Sequence, residues 1–219
     1  MRIALLGAAS TGKTRLAAEL GAQLRQQSKS VAVIAEVLRQ WCEREGREPR
    51  PAEQLPIARE QEELVDAAAD AHDVVIADTT ALMVAIHGGM MFTDGELLQF
   101  ALQRQRTYNL TLLTGLDLPW VADSLQRLGP QAREPVDALI RTTLAGADIA
   151  YRVVYGQGPQ RTRNALTAID ATALQPAGSA ASTAACHWQW NCEKCSDPQC
   201  EHRLFTGLPA RGRSKIVEP

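Results

Sequence analysis

The chain has 219 residues, a formal net charge of −2 at pH 7 and 45% apolar residues. That length suits one α/β domain with a modest appendage, and the apolar share is enough for a packed core. A pI of about 6.1 leaves no global reason to expect nucleic acid or an anionic membrane as a partner, and no apolar stretch reaches the roughly 18 residues of a membrane span.

Residues 3–6, Ile-Ala-Leu-Leu, form a short apolar run. It is too short for a signal peptide and is soon interrupted by Thr11-Gly12-Lys13-Thr14, so a buried strand and a cytoplasmic location are expected. Gly7-Ala-Ala-Ser-Thr-Gly12-Lys13-Thr14 then fits G-x-x-x-x-G-K-[ST] at every fixed position, and leucines at helical spacing follow it. Glycines there let backbone N–H groups curl toward phosphates, and a helix N-terminus adds positive potential. Gly7, Ser10, Thr11, Gly12, Lys13 and Thr14 are therefore the expected ATP contacts. Lys13 is assigned to the β- and γ-phosphates as a catalytic group, and the Thr14 hydroxyl to Mg²⁺.

Residues 31–35 read as a second strand and 36–45 as a helix. Glu36 directly follows the strand, with Arg39 one turn on. In a parallel sheet that edge faces the ligand, so Glu36 is a candidate catalytic and substrate-binding carboxylate with Arg39 beside it. The competing reading is a surface ion pair within a helix. Residues 46–51 are a polar turn holding two prolines, and 56–71 a long helix with an acidic outer face. Residues 74–77 make a third strand closed by Asp78-Thr79-Thr80. Asp78 is a candidate Mg²⁺ ligand and catalytic group, or else a helix cap.

A helix is expected over 94–107 with Asp94 as its cap, and a fourth strand over 110–113. The next segment is Leu116-Asp117-Leu118-Pro119-Trp120-Val121-Ala122-Asp123. Pro119 turns the chain and sets Trp120 at the rim, where its face suits stacking on a ring. Asp117 and Asp123 are candidate ligands for sugar hydroxyls or participants in Mg²⁺ chemistry. The competing reading is a core tryptophan with two caps. Helices are expected over 121–128 and 134–147. Between them Arg127 and Arg133 flank Gly129-Pro130 as a candidate lid over the transferring phosphoryl group, or as a solvated turn. Residues 151–155 are a fifth strand and 159–169 the last helix. Arg161 and Arg163 would lie near adenine, covering the base or facing water.

Apolar strands alternating with helices imply an α/β fold: a P-loop kinase-like three-layer sandwich around a five-stranded parallel sheet, over residues 1–173. Residues 174–185 read as a linker rich in Ala, Ser and Gly. Residues 186–219 are a Cys/His-rich tail. Five cysteines, Cys42 among them, argue against a disulfide framework in a reducing compartment. Cys186, Cys192, Cys195 and Cys200, with His202 or His187 as an alternate, carry a chelating C-x₂-C pair. A small knuckle around Zn²⁺ is expected there, the competing reading being a disordered tail with free thiols.

The motifs together resemble the ribosylnicotinamide kinase domain of the NadR family, among AAA-like P-loop kinases. The likeness runs over residues 2–169. It is carried by the phosphate loop, Glu36-Val-Leu-Arg39, Ile57-Ala-Arg-Glu-Gln61, Asp78-Thr79-Thr80, Leu116–Asp123, Arg127, Arg133 and Gly156–Arg161. The resemblance implies transfer of phosphate from ATP to the 5′-hydroxyl of nicotinamide riboside. Trp120 would stack on the nicotinamide ring, Asp123 would sit in the substrate pocket, and Glu36 or Asp78 would orient the hydroxyl. The chain reads Asp-Thr-Thr where the family has Asp-Thr-Asp. The nucleotidyltransferase domain that NadR proteins carry ahead of the kinase is not expected in a chain whose phosphate loop begins at residue 7.

Two function classes thus stand after the sequence. One is a kinase for a small nucleoside-like acceptor. The other is a regulatory P-loop ATPase whose knuckle, followed by Arg203, Arg211, Arg213 and Lys215, binds a protein or nucleic acid. Those four scattered charges are not a strong nucleic-acid footprint. Oligomeric state is not legible in the sequence.

Overall fold

The computed structural model describes residues 1–89, 95–122 and 129–174. Asp94, Asp123, Arg127 and the whole Cys186–His202 cluster lie outside the described residues. The elements, in order, are β1 (Arg2–Leu6), α1 (Lys13–Gln26), β2 (Val31–Ile34), α2 (Val37–Glu45), α3 (Pro51–Ala71), β3 (Val74–Asp78) and α4 (Ala81–Gly89). There follow α5 (Gly95–Gln105), β4 (Leu110–Thr114), a 3₁₀ turn (Pro130–Ala132), α6 (Arg133–Gly146), β5 (Arg152–Val154) and α7 (Pro159–Ala173).

The five strands form one parallel sheet in the order β2-β3-β1-β4-β5. Side chains alternate across it. Ile3 and Leu5 join Leu16, Leu20 and Leu24 of α1 and Ala165 and Ile169 of α7 on one face. Leu6 and Leu113 pack on the other face with α2 to α6, through residues such as Val37, Ile57, Leu82, Leu97 and Ile140. Ala4, Val75 and Ala77 meet Val65 of α3 there as well. The result is a three-layer α/β sandwich of the P-loop kinase-like kind. Burying β1 on both faces explains why its sequence is apolar without alternation.

Register matters for the site. Leu5 pairs with Asp78 and Leu6 with Leu113, while Ile34 pairs with Ala77 and Thr114 with Val154. The strands therefore end level, and the segments starting at Gly7, Ala35, Thr79, Gly115 and Tyr155 all leave the same edge.

Two expectations need correction, and one helix was not expected. The long helix starts at Pro51, not Pro56. Pro51 takes the first helical position, where its missing N–H costs nothing. Glu53 reaches back to the Arg50 N–H at 2.7 Å, and both of its oxygens take a nitrogen of Arg47 at 2.7 Å. That network extends the helix ahead of Pro56, which is carried inside it. The helix expected from residue 121 is not formed at Val121 and Ala122, which are irregular and exposed. Helix α4 escaped a periodicity reading because Ala81 to Ile86 are all buried and show no polar face.

Candidate active site

The phosphate loop leaves β1 through Gly7 at φ 150° and enters α1 through Gly12 at φ 75°, with Ser10 also left-handed at φ 58°. A Cβ at Gly7 would collide with Thr114 Oγ1, so only glycine fits between the loop and β4. The loop is held from beneath by two buried hydroxyls: Thr11 Oγ1 and Thr114 Oγ1 lie 2.6 Å apart, and the Thr114 hydroxyl also reaches the Leu6 carbonyl at 3.1 Å. Helix α1 has neither a side-chain cap nor an acidic residue in its first turn. Its first N–H groups lack intrahelical acceptors, which is the arrangement that attracts an anion.

Lys13 folds over this loop, its ammonium donating to the carbonyls of Gly7 and Ala8 at 3.0 Å each. An ammonium has three donors, so one remains for a phosphate oxygen. Burial pushes the Lys13 amine below the ordinary lysine value. Glu36 and Asp78 pull it back up, and Arg39 opposes them. Those four groups thus share one electrostatic neighbourhood at the strand ends. Glu36 is the N-cap of α2, its side chain only 16% exposed, and Arg39 Nε lies 3.7 Å from its Oε2.

Asp78 is raised above the usual aspartate range, first by burial. A hydrogen bond from Thr14 and the charge of Lys13 act against that, while Glu36 adds to it. Its Oδ1 is buried and has no partner among the described residues. A buried, unpaired carboxylate oxygen next to the loop threonine is a donor set that fits a hard divalent cation such as Mg²⁺. Directly after it, Thr79 adopts φ 74° while 3% exposed. A β-branched residue there is strained by about 1–3 kcal/mol and persists only where its surroundings hold it.

The Leu116–Ala122 segment leaves β4 and lies against the loop. Val121 N–H donates to Ser10 Oγ at 2.8 Å. Trp120 is half-buried, and its indole Nε1 has no partner among the described residues. Both oxygens of Asp117 are engaged, one by the Gly156 N–H at 2.7 Å and one by Arg161 at 3.0 Å. Arg161 neither faces water nor lies open over a base. It is 4% exposed and also donates to the carbonyls of Thr11 at 2.8 Å and Gly156 at 3.0 Å. Arg133 donates to the Leu118 carbonyl at 2.9 Å, anchoring the same segment.

Several site residues gave no readable signal. Gln61 accepts the Val37 N–H at 2.9 Å and so sets the start of α2 beside Glu36. Glu62 accepts the Ala81 N–H at 2.9 Å and sets the start of α4 beside Asp78. His87, on α4, is pulled down to about 4 by burial, with Lys13 adding to the fall and Glu48 opposing it. A lone polar residue on a helix carries no pattern, although Gln61 belongs to a quoted family element. Among the described residues no group of three or more acidic, His or Cys side chains is arranged to hold a metal, and no helix is long and apolar enough to cross a membrane.

A family model described as an AAA domain matches residues 2–161. No curated protein matches the chain by sequence. Among solved structures, a NadR protein in complex with NAD and AMP-PNP superposes with a TM-score of 0.61 at 16% identity, covering 78% of this chain and 49% of that one. A NadR protein in complex with NR gives 0.57 at 16% identity, over 80% and 52%. A deoxyadenosine kinase from M. mycoides with the products dCMP and dCDP gives 0.52 at 13% identity, over 80% of this chain and 100% of that one. The chain thus spans about half the length of the NadR structures it matches. At these identities the likeness is one of fold.

Proposed function

Because the chain belongs to the AAA-domain family, we propose that it is an ATP-dependent kinase that phosphorylates a hydroxyl of a small nucleoside-like acceptor, with nicotinamide riboside as the first candidate. One observation carries this reading. A second carboxylate, Glu36, sits with Arg39 in the electrostatic neighbourhood of Lys13 and Asp78, where bare nucleotide binding would not require it. The NR and nucleotide complexes of the structures that share the fold support the acceptor class.

On this reading Gly7, Ser10, Thr11, Gly12, Lys13 and Thr14 hold the ATP phosphates. Thr14 and Asp78 would hold Mg²⁺, which when bound would supply positive charge to neutralise the phosphates. The acceptor hydroxyl attacks the γ-phosphorus in line, and its proton passes to Glu36. A new O–P bond forms as the bond to the β–γ bridging oxygen breaks, releasing ADP. Lys13, with Arg133 and Arg127, stabilises the charge on the transferring group. Trp120 and Asp123, the latter outside the described residues, would contact the acceptor. Arg39 orients Glu36, while Asp117 and Arg161 brace the loop. Incubation of the protein and Mg·ATP with a panel of nucleosides and vitamins, followed by mass, tests the reading. Steady ATP hydrolysis with no phosphorylated acceptor would sink it in favour of the regulatory ATPase.

The tail is proposed separately, from sequence, as a Zn²⁺ knuckle on Cys186, Cys192, Cys195 and Cys200, with His202 as an alternate ligand. Elemental analysis of the purified chain should find about one zinc per molecule, and loss of that zinc on Cys192→Ser. Zinc-free protein from zinc-replete cells would overturn it.

A further inference from the structure

The turn after β3 is held by more bonds than a helix start requires. Thr79 N–H donates to the Leu5 carbonyl at 3.1 Å. Thr80 Oγ1 caps the Leu82 N–H at 3.2 Å and donates to Gln105 Oε1 at 2.7 Å, whose Nε2 donates in turn to Thr111 at 2.9 Å. All three of Thr80, Gln105 and Thr111 are buried. The Ala81 N–H of the turn goes to Glu62 Oε1 from a different helix, α3.

Glu62 is 2% exposed, an unusual place for a carboxylate whose neighbourhood is not a ligand site. Its second oxygen takes the Tyr108 hydroxyl at 3.1 Å and Arg104 Nε at 3.5 Å. Arg104 also binds Asp66 at 2.7 Å, and Asp66 binds Arg2 at 2.8 Å. The buried charge is therefore fully paired, and breaking such a network leaves uncompensated groups. Among the described residues it meets the active-site edge through the Ala81 N–H, two residues past the strained Thr79 and three past Asp78.

We infer that Glu62 is a positioning residue: by capping Ala81 it holds Thr79 in its left-handed turn, and so aims the Asp78 carboxylate at the cation that accompanies the nucleotide. The inference rests on the reading of Asp78 as a Mg²⁺ ligand. Strain at Thr79 gives the turn a competing relaxed geometry, and the cap from α3 opposes it. Distance along the side chain separates this role from a general electrostatic one. Glu62→Asp keeps the charge but draws both oxygens back by one methylene, which takes the acceptor from the Ala81 N–H and lengthens the contacts to Arg104 and Tyr108, so rescue by Thr79→Gly is what singles out the cap. Glu62→Gln keeps an oxygen for Ala81 and loses the charge.

The test is calorimetric binding of AMP-PNP to the full chain with Mg²⁺ and with EDTA, giving the ratio of the two affinities. Glu62→Asp should lower that ratio about tenfold, the size of one lost cap, and Glu62→Gln should stay within about twofold. Thr79→Gly added to Glu62→Asp should restore the ratio, since glycine takes this φ unaided. The opposite ranking of Asp and Gln, or failure of the glycine to restore it, overturns the inference. Asp78→Asn is the control. If it leaves the ratio unchanged, the Mg²⁺ reading of Asp78 falls; if it lowers the ratio while Glu62→Asp does not, only the positioning role falls. Thermal melts of each variant verify folding, and should Glu62→Asp not fold, Glu62→Ala replaces it, with the tenfold fall expected alone and the ratio restored in the Thr79→Gly background.

Discussion

Replacing Arg161 with methionine separates the tertiary role of this residue from the one its sequence position suggests. Methionine keeps the length and apolar bulk of the stem but removes every donor. Lost with the guanidinium are bonds to Thr11 O at 2.8 Å, Gly156 O at 3.0 Å and Asp117 Oδ1 at 3.0 Å, and a longer one to Gly115 O at 3.5 Å. Each bond from a charged donor is worth about 1.5–3 kcal/mol, but they share one group and do not add in full. Asp117 is 28% exposed and keeps the Gly156 N–H, so water recovers part of its loss. Arg161 Nε, buried with no partner among the described residues, already carries a cost that the substitution relieves. The balance is a destabilisation of about 3 kcal/mol, or about 6–12 °C in melting temperature for a domain of this size. The assay is urea and thermal denaturation by circular dichroism, paired with AMP-PNP affinity. Both should fall, because the Thr11 carbonyl belongs to the phosphate loop. A solvated arginine would shift stability by no more than about 0.5 kcal/mol. Normal stability with weakened nucleotide binding would refute the brace and restore the base-covering role.

Gly7→Ala should destabilise by about 2–4 kcal/mol, because its Cβ meets Thr114 Oγ1. Thr114→Ala in the same chain should recover part of that loss, and strictly additive effects would contradict the contact. His87 has a folded-state pKa of about 4 against an ordinary 6.5. The unfolded chain therefore takes the proton first as pH falls. Its contribution is fully present above pH 6.5 and is lost as pH falls from 6.5 toward 4. His87→Asn should remove about 2 kcal/mol of the stability difference between pH 7 and pH 4.5, read from urea midpoints. Parallel profiles would count against a partly buried neutral imidazole. Lys13→Met should cut phosphoryl transfer by about a thousandfold with little change in melting temperature, since among the described residues its hydrogen bonds go to loop carbonyls.

Local chemistry made much of this molecule legible. An apolar run closed by G-x-x-x-x-G-K-[ST] admits few arrangements, because the spacing of glycines, lysine and threonine is itself the phosphate cradle. Five apolar runs alternating with helical stretches imply a parallel sheet, since nothing else buries both of their faces. That sheet in turn brings Asp78, the last residue of β3, and Glu36, two residues past β2, to the edge from which the loop leaves. Register, helix entry and burial were decided elsewhere. Helix α3 begins at Pro51 because Arg47 and Arg50 meet Glu53 there. Arg161 became a brace because its four acceptors converge from three loops that are distant in sequence. Glu62 reaches Ala81 only because α3 packs against α4. A short motif carries its own chemistry wherever it folds, whereas a buried polar group is defined by partners that only long-range packing supplies.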